Sequence, residues 1–236
     1  MPRLARSTQE NDYFHIITRG INKENIFIKG FYKNQILKYY FDKKYQRNIL
    51  SYAIMDNHSH FMIRVDNIKT LAKIMKNINL RYSLFYNEIE DRSGHVFQNR
   101  YISVPIKSER QIFETLRYIH NNPVFAGLSE SASMYKFSSY NNFFGKKKDL
   151  LSEIFKDLIK NNFKNKSSFG DFHKERLFVL QKDTKEDLVL AKKFIYQGLK
   201  NKINDENKLE YIKKLNCLGF SKTELAKFFK VSRNMI

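Results

Sequence analysis

One cysteine, Cys217, stands among 236 residues, which excludes a disulfide framework and a thiolate metal cluster. A reducing cytoplasm suits such a chain, with Cys217 as a small core residue. Long apolar runs are missing too. No stretch approaches ~20 apolar residues, so no spanning helix is expected, and the opening MPRLARSTQEND lacks the apolar segment of a secretory signal. Internal repeats are absent. Acidic residues are scarce, 24 against 43 Lys and Arg, for a formal charge of +19. The excess is not confined to a tail: residues 1–145 carry +9 and residues 146–236 carry +10. A surface field of one positive sign favours a polyanionic partner, and with no membrane segment that partner is expected to be nucleic acid.

What is present reads as alternating strands and helices. YFHIITR (13–19) alternates and is rich in β-branched residues, which suits a strand, and GINKEN follows as a loop. FYKNQILKYYFDKKYQ (31–46) has its apolar positions at helical spacing. Residues 49–65 are one long strand or two, broken near Asp56 and Asn57. KTLAKIMKNINLRYSLFYNEI (69–89) puts Leu71, Ile74, Met75, Ile78 and Tyr82 on one helical stripe. VFQNRYISVPI reads as a strand with Pro105 near its end, where a missing N–H is tolerated. The next helix, 108–122, opens with a Ser108–Gln111 capping box and stops before Pro123.

The order β-α-β(β)-α-β-α predicts an α+β fold in the split βαβ, ferredoxin-like layout: an antiparallel sheet with helices on one face. That domain covers 1–145, ending at the basic GKKKD, and a helical extension follows over 146–236. Within the extension, residues 150–200 read as amphipathic helices broken by NKSSFGDF. The end has helix-turn-helix punctuation: a helix closing at Gly219, then a Ser221–Glu224 capping box. The chain stops at Ile236, a few residues into what would be the recognition helix, so base readout there is not expected.

YAIMDNHSHFMIRV (52–65) places two histidines one residue apart in an apolar strand. Alternation points His58 and His60 to the same face, where two imidazoles can share one metal ion or simply hydrogen-bond to neighbours. On the helix at 108–122 the apolar stripe is Ile112, Leu116 and Ile119. Tyr118 lies off it, with Asn122 one turn along the same side. A phenol and a neutral oxygen donor so stacked suit a nucleophile beside a metal ligand, although a tyrosine taken alone is more often a packed surface aromatic.

Three blocks in this order, YAIMDNHSHFMIRV, GHVFQNRYIS and LRYIHNNPVFAGL, resemble the single-tyrosine HUH transposases of the IS200-like family. RGINKENIF and YKFSSYNNFFG extend the likeness over 1–145, closest to the subgroup associated with repetitive extragenic palindromes (REP). The resemblance implies His58 and His60 as the metal pair, Asn122 as the third protein ligand and Tyr118 as the nucleophile. It also implies Mg²⁺ or Mn²⁺, and transesterification on single-stranded or hairpin DNA through a 5′-phosphotyrosine. Monomer and homodimer both occur among relatives. Ser59 departs from the family's usual apolar residue and is expected to face away from the metal side.

Around these residues, Arg19, Arg100 and Arg117 are expected phosphate contacts. Asp56 reads as strand-entry chemistry and Glu114 as a solvated charge. His120 and Asn121 are expected to cap the chain above Pro123, and His15 and His95 to pack or hydrogen-bond locally. Two other readings stand beside the transposase: a non-catalytic DNA-binding regulator that keeps the fold, and a phosphoesterase using the histidines without covalent attachment. The first does not require all four site residues, and the second leaves Tyr118 unexplained.

Overall fold

The structure, a computed structural model, describes residues 13–45, 48–144, 151–174, 208–217 and 221–233. Within the first compact unit, which runs to His173, the elements are β1 (Tyr13–Arg19), α1 (Gly30–Tyr40), β2 (Ile49–Ile54), β3 (His58–Arg64), α2 (Ile68–Ile89), β4 (Ile102–Ile106), α3 (Glu109–Phe125), α4 (Glu153–Asn162) and α5 (Lys166–Lys174). The four strands form one antiparallel sheet in the order β2-β3-β1-β4. This is the expected split βαβ arrangement, with β3 between β2 and β1. Residues 49–65 are therefore two strands, turned at Asp56 and Asn57. β4 is shorter than its sequence pattern. The part before it meets the chain at the end of β1 through a Gly20–Phe97 bridge and a Gln98 N–H bond to the Arg19 carbonyl, and Pro105 sits on an edge strand, where a missing N–H is tolerated.

Side-chain alternation gives the sheet two different faces. Phe14, Ile16, Phe61 and Ile63 point one way, toward α1 and α2; the Tyr40 and Phe61 rings stack at 3.5 Å. α2 buries the predicted stripe of Leu71, Ile74, Met75, Ile78 and Tyr82, and its Asn67 cap accepts the Thr70 N–H. The opposite face carries His15, Ile17, Arg19, His58 and His60, and there α3 packs. The single helical layer of the predicted layout thus accounts for α1 and α2, and α3 forms a second layer on the polar face.

α3 starts at its predicted cap, with Ser108 Oγ accepting the Gln111 N–H and Gln111 Oε1 accepting the Lys107 N–H. It does not stop before Pro123 but runs on to Phe125. The proline lies in the last turn, and the real stop is four residues later. Gly127 adopts φ +71°, its N–H bonds to Val124 C=O and the Leu128 N–H bonds to Pro123 C=O. That is a Schellman closure, which demands a left-handed residue.

The expected boundary at 145 is displaced. Phe155, Ile159 and Phe169 are buried in the same core as the sheet, so α4 and α5 belong to the first unit. NKSSFGDF, expected to interrupt the helices, supplies most of α5. Asn165 Oδ1 caps the Ser168 N–H at 2.9 Å, and Gly170 sits where a Cβ would lie 3.4 Å from the Tyr140 hydroxyl. α5 is tied to α3 by a buried imidazole chain. His173 Nδ1–H donates to Phe169 C=O (2.8 Å), His120 Nδ1–H donates to His173 Nε2 (2.9 Å), and Ser139 Oγ–H donates to His120 Nε2 (2.8 Å).

The second unit contains α6 (Lys208–Cys217) and α7 (Lys222–Phe229), which pack on one another, and Leu215 and Leu225 are buried. Gly219 lies outside the described residues.

Two stability predictions follow from this packing. Phe169→Ala removes a fully buried ring and is expected to lower the unfolding free energy by about 3–5 kcal/mol in urea titration; a loss below about 1 kcal/mol would put α5 outside the core. Burial holds both chain histidines down, His120 well below the ordinary value and His173 to about 4. The unfolded chain then takes up protons below pH 6.5 that the folded chain refuses, so stability is complete above that pH and declines toward pH 4. His173 alone accounts for up to about 3 kcal/mol of the decline. Urea midpoints at pH 7 and pH 5 measure it: His173→Gln should flatten the slope, and equal slopes in the two proteins would contradict the assignment.

Candidate active site

The β1–β3 ladder assembles the site. Arg19 pairs with His58 and Ile17 with His60, so Arg19, His58 and His60 project from one end of the polar face, with His15 beside them. The His58 and His60 rings lie 4.9 Å apart and nearly perpendicular. Each has its Nδ1 committed. His58 Nδ1–H donates to Asn57 Oδ1 (2.5 Å), and His60 Nδ1 meets His15 Nε2 (2.9 Å) in a stacked pair of rings. We assign the His60 proton to Nδ1, donating to His15, which leaves Nε2 with its lone pair. His60 Nε2 is buried without a hydrogen-bond partner. Burial, reinforced by His58, His15 and Arg19, holds the His60 imidazole well below its ordinary pKa and therefore neutral. Neutral imidazoles with oriented Nδ1–H groups are the form that binds metals, and the outer hydrogen bond fixes the ring that ligates.

Tyr118 comes to the same place from α3. Its ring stands edge-on to His60 (5.7 Å, 90°) and to His15 (5.7 Å, 77°), and the residue is only 2 % exposed. Asn122, one turn on, donates its side-chain N–H to the Tyr118 carbonyl at 3.0 Å, which leaves Oδ1 as its acceptor atom. The histidine pair and the tyrosine are thus brought together, with Asn122 on the adjoining turn. Among the described residues no three His, Cys, Asp or Glu side chains cluster as a metal site. Between them, the sheet face and α3 carry two imidazoles and a carboxamide oxygen, a donor set that with water and phosphate oxygens fits a small divalent ion.

Other candidate residues divide. Arg19 is half-buried, and its charge is felt at His60. Arg100 is exposed. Arg117, expected among the phosphate contacts, is buried and turned away: its guanidinium lies 4.6 Å over the Phe172 ring and donates to the Phe172 carbonyl. The Asp56 carboxylate is held by the buried Lys33 ammonium at 2.6 Å, and Glu114 pairs with Arg110 at 2.8 Å. Ser59 faces away from the site, hydrogen-bonded to Thr18 at 2.7 Å. His95 is exposed. His120 and Asn121 reach α5 rather than capping the chain above Pro123; the Asn121 amide donates to the His173 carbonyl at 3.1 Å. Two residues escaped sequence reasoning. His15 supports His60, and its only signal was its shared parity with Arg19. His173 carried no signal at all.

The family profile described as "Transposase IS200 like" matches residues 8–122, spanning both histidines, Tyr118 and Asn122. A solved structure entitled "Structure of the REP associates tyrosine transposase bound to a REP hairpin" is similar at a TM-score of 0.47 and 14% identity. The likeness covers 60% of this chain and 84% of that one. No curated protein matches the chain. The likeness to the IS200-like transposases therefore lies in the segment that carries the histidine pair and the tyrosine.

Proposed function

We propose that this protein cleaves and rejoins single-stranded DNA at hairpin-bearing sites in the cytoplasm, with Tyr118 as the nucleophile. One observation carries the reading: the Tyr118 phenol ring stands edge-on to His60, whose Nε2 is buried, neutral and without a hydrogen-bond partner. Burying such a nitrogen costs stability unless something is meant to meet it.

In the cleavage step Tyr118 Oη bonds to phosphorus as the bond from phosphorus to the 3′ oxygen breaks. The phenol proton leaves, the 3′ oxygen gains one, and a 5′-phosphotyrosine and a 3′-OH result. The reverse reaction with another 3′-OH rejoins strands, and the ester energy kept in the covalent link removes any need for ATP. His58 and His60, with Asn122 Oδ1, would hold Mg²⁺ or Mn²⁺, which when bound polarises the phosphate oxygens. Arg19, at the mouth of the histidine face, and Arg100 contribute positive charge to seat the backbone of the strand. His15 keeps His60 in the tautomer that presents Nε2.

A second reading, DNA binding without cleavage, draws support from the burial of Tyr118, which leaves the phenol little access as it stands. One experiment separates the two. Labelled single-stranded hairpin DNA is incubated with the protein and Mn²⁺ or Mg²⁺ and resolved on denaturing gels. The transposase reading expects a DNA-linked protein band that Tyr118→Phe abolishes. His60→Ala is expected to slow its formation roughly 10²–10³-fold while leaving DNA affinity nearly unchanged. Binding with no adduct under any metal condition would establish the second reading.

A further inference from the structure

The flank of α3 next to Tyr118 is gripped by α5, which lies beyond the family match that ends at residue 122. Arg117, His120 and Asn121 occupy that flank, about 60–160° around the helix from Tyr118 at 100° per residue. Each meets the Phe172–His173 end of α5. Arg117 donates to the Phe172 carbonyl (3.3 Å) and lies over the Phe172 ring (4.6 Å), Asn121 donates to the His173 carbonyl (3.1 Å), and His120 donates to His173 Nε2 (2.9 Å). Behind His173, Phe169 C=O fixes its tautomer. Behind His120, Ser139 Oγ both donates to the ring and accepts the Tyr52 N–H at 2.9 Å, which carries the chain to the sheet.

We infer that α5 is a clasp that sets the roll of α3, and that Phe172 and His173 are positioning residues for the Tyr118 nucleophile. The inference rests on Tyr118 being that nucleophile. The contacts span more than one turn and bear on one flank, so they resist rotation of the helix about its own axis. Roll is the coordinate that matters. A phenol oxygen about 9 Å from a helix axis moves roughly 1.5 Å for a 10° roll, and a misplacement of ~1 Å can slow a reaction ~10²-fold. The contacts are also chemically selective. The guanidinium over an aromatic face is a stacked geometry that lysine does not reproduce, and the His120 Nδ1–H needs an acceptor where His173 Nε2 stands.

His173→Leu removes that acceptor, whereas His173→Gln restores it through Oε1; Phe172→Ala takes away the stacking surface. With the full chain, three quantities are measured: the single-turnover rate of adduct formation at saturating hairpin DNA, DNA affinity without metal, and hydrogen exchange along α3. For His173→Leu and Phe172→Ala the expected result is a rate at least about tenfold lower, affinity within about twofold, and faster exchange over 115–122. His173→Gln should recover most of the rate. Wild-type rates with unchanged α3 exchange in both variants would overturn the clasp, as would a loss confined to DNA affinity. If the wild-type protein forms no adduct, the nucleophile assignment fails instead, and the exchange data still decide whether α5 holds α3.

Discussion

The hydrogen bond between His15 and His60, buried between adjacent strands, is the constraint on which the site depends. Two imidazoles close together on one sheet face are costly in a core unless each nitrogen has a task. His15 takes the Nδ1 side of His60 and Asn57 takes the Nδ1 side of His58, so each ring is held in a fixed tautomer with its buried Nε2 on the other side. Burial keeps His60 neutral, and the guanidinium of Arg19 adds to that pressure. The β1–β3 register decides which residues share that face. A slip of one residue would send His60 into the aromatic layer under Tyr40 and bring Ser59 out in its place.

From this constraint the division of labour in the fold follows. The apolar face of the sheet, with α1 and α2, supplies stability through rings such as Tyr40, Phe61 and Tyr82. The opposite face carries the candidate site, and α3 lies across it. A helix over a polar face needs its own fixing, and here much of that fixing is polar: the His120–His173 chain and the Arg117 and Asn121 contacts with α5. All are neutral–neutral or cation–carbonyl contacts in a buried setting, where each missing partner carries a full desolvation cost. The core and the site are therefore held by different interactions, and the site can be disabled without unfolding the sheet.

The sequence was most informative where a period or a cap determines the element. Strand alternation placed His58 and His60 together, the stripe on α2 came out buried as read, and Ser108 caps α3. It was least informative where tertiary partners decide. Pro123 suggested a helix end, but the Schellman geometry at Gly127 sets it. KSSFGDF has a glycine and two serines in a short run and read as a break; Phe169 and His173, one turn apart, gain enough from burial to make it a helix. Arg117 looked like a phosphate ligand because it is basic and next to Tyr118, yet its rotation on α3 turns it to Phe172. His15 and His173 depend on contacts across 45 and 53 residues, which no local pattern encodes.

The central claim is that His58, His60 and Tyr118 act on one phosphate with one divalent ion. Crystals of the Tyr118→Phe protein with uncleaved hairpin DNA and Mn²⁺ test it most directly, because manganese is located by its anomalous scattering. The expected result is a manganese peak within ligand distance of Nε2 of both histidines, sharing a phosphate oxygen with the scissile group, which faces the ring at position 118. A peak elsewhere, or a phosphate held far from that ring, would contradict it.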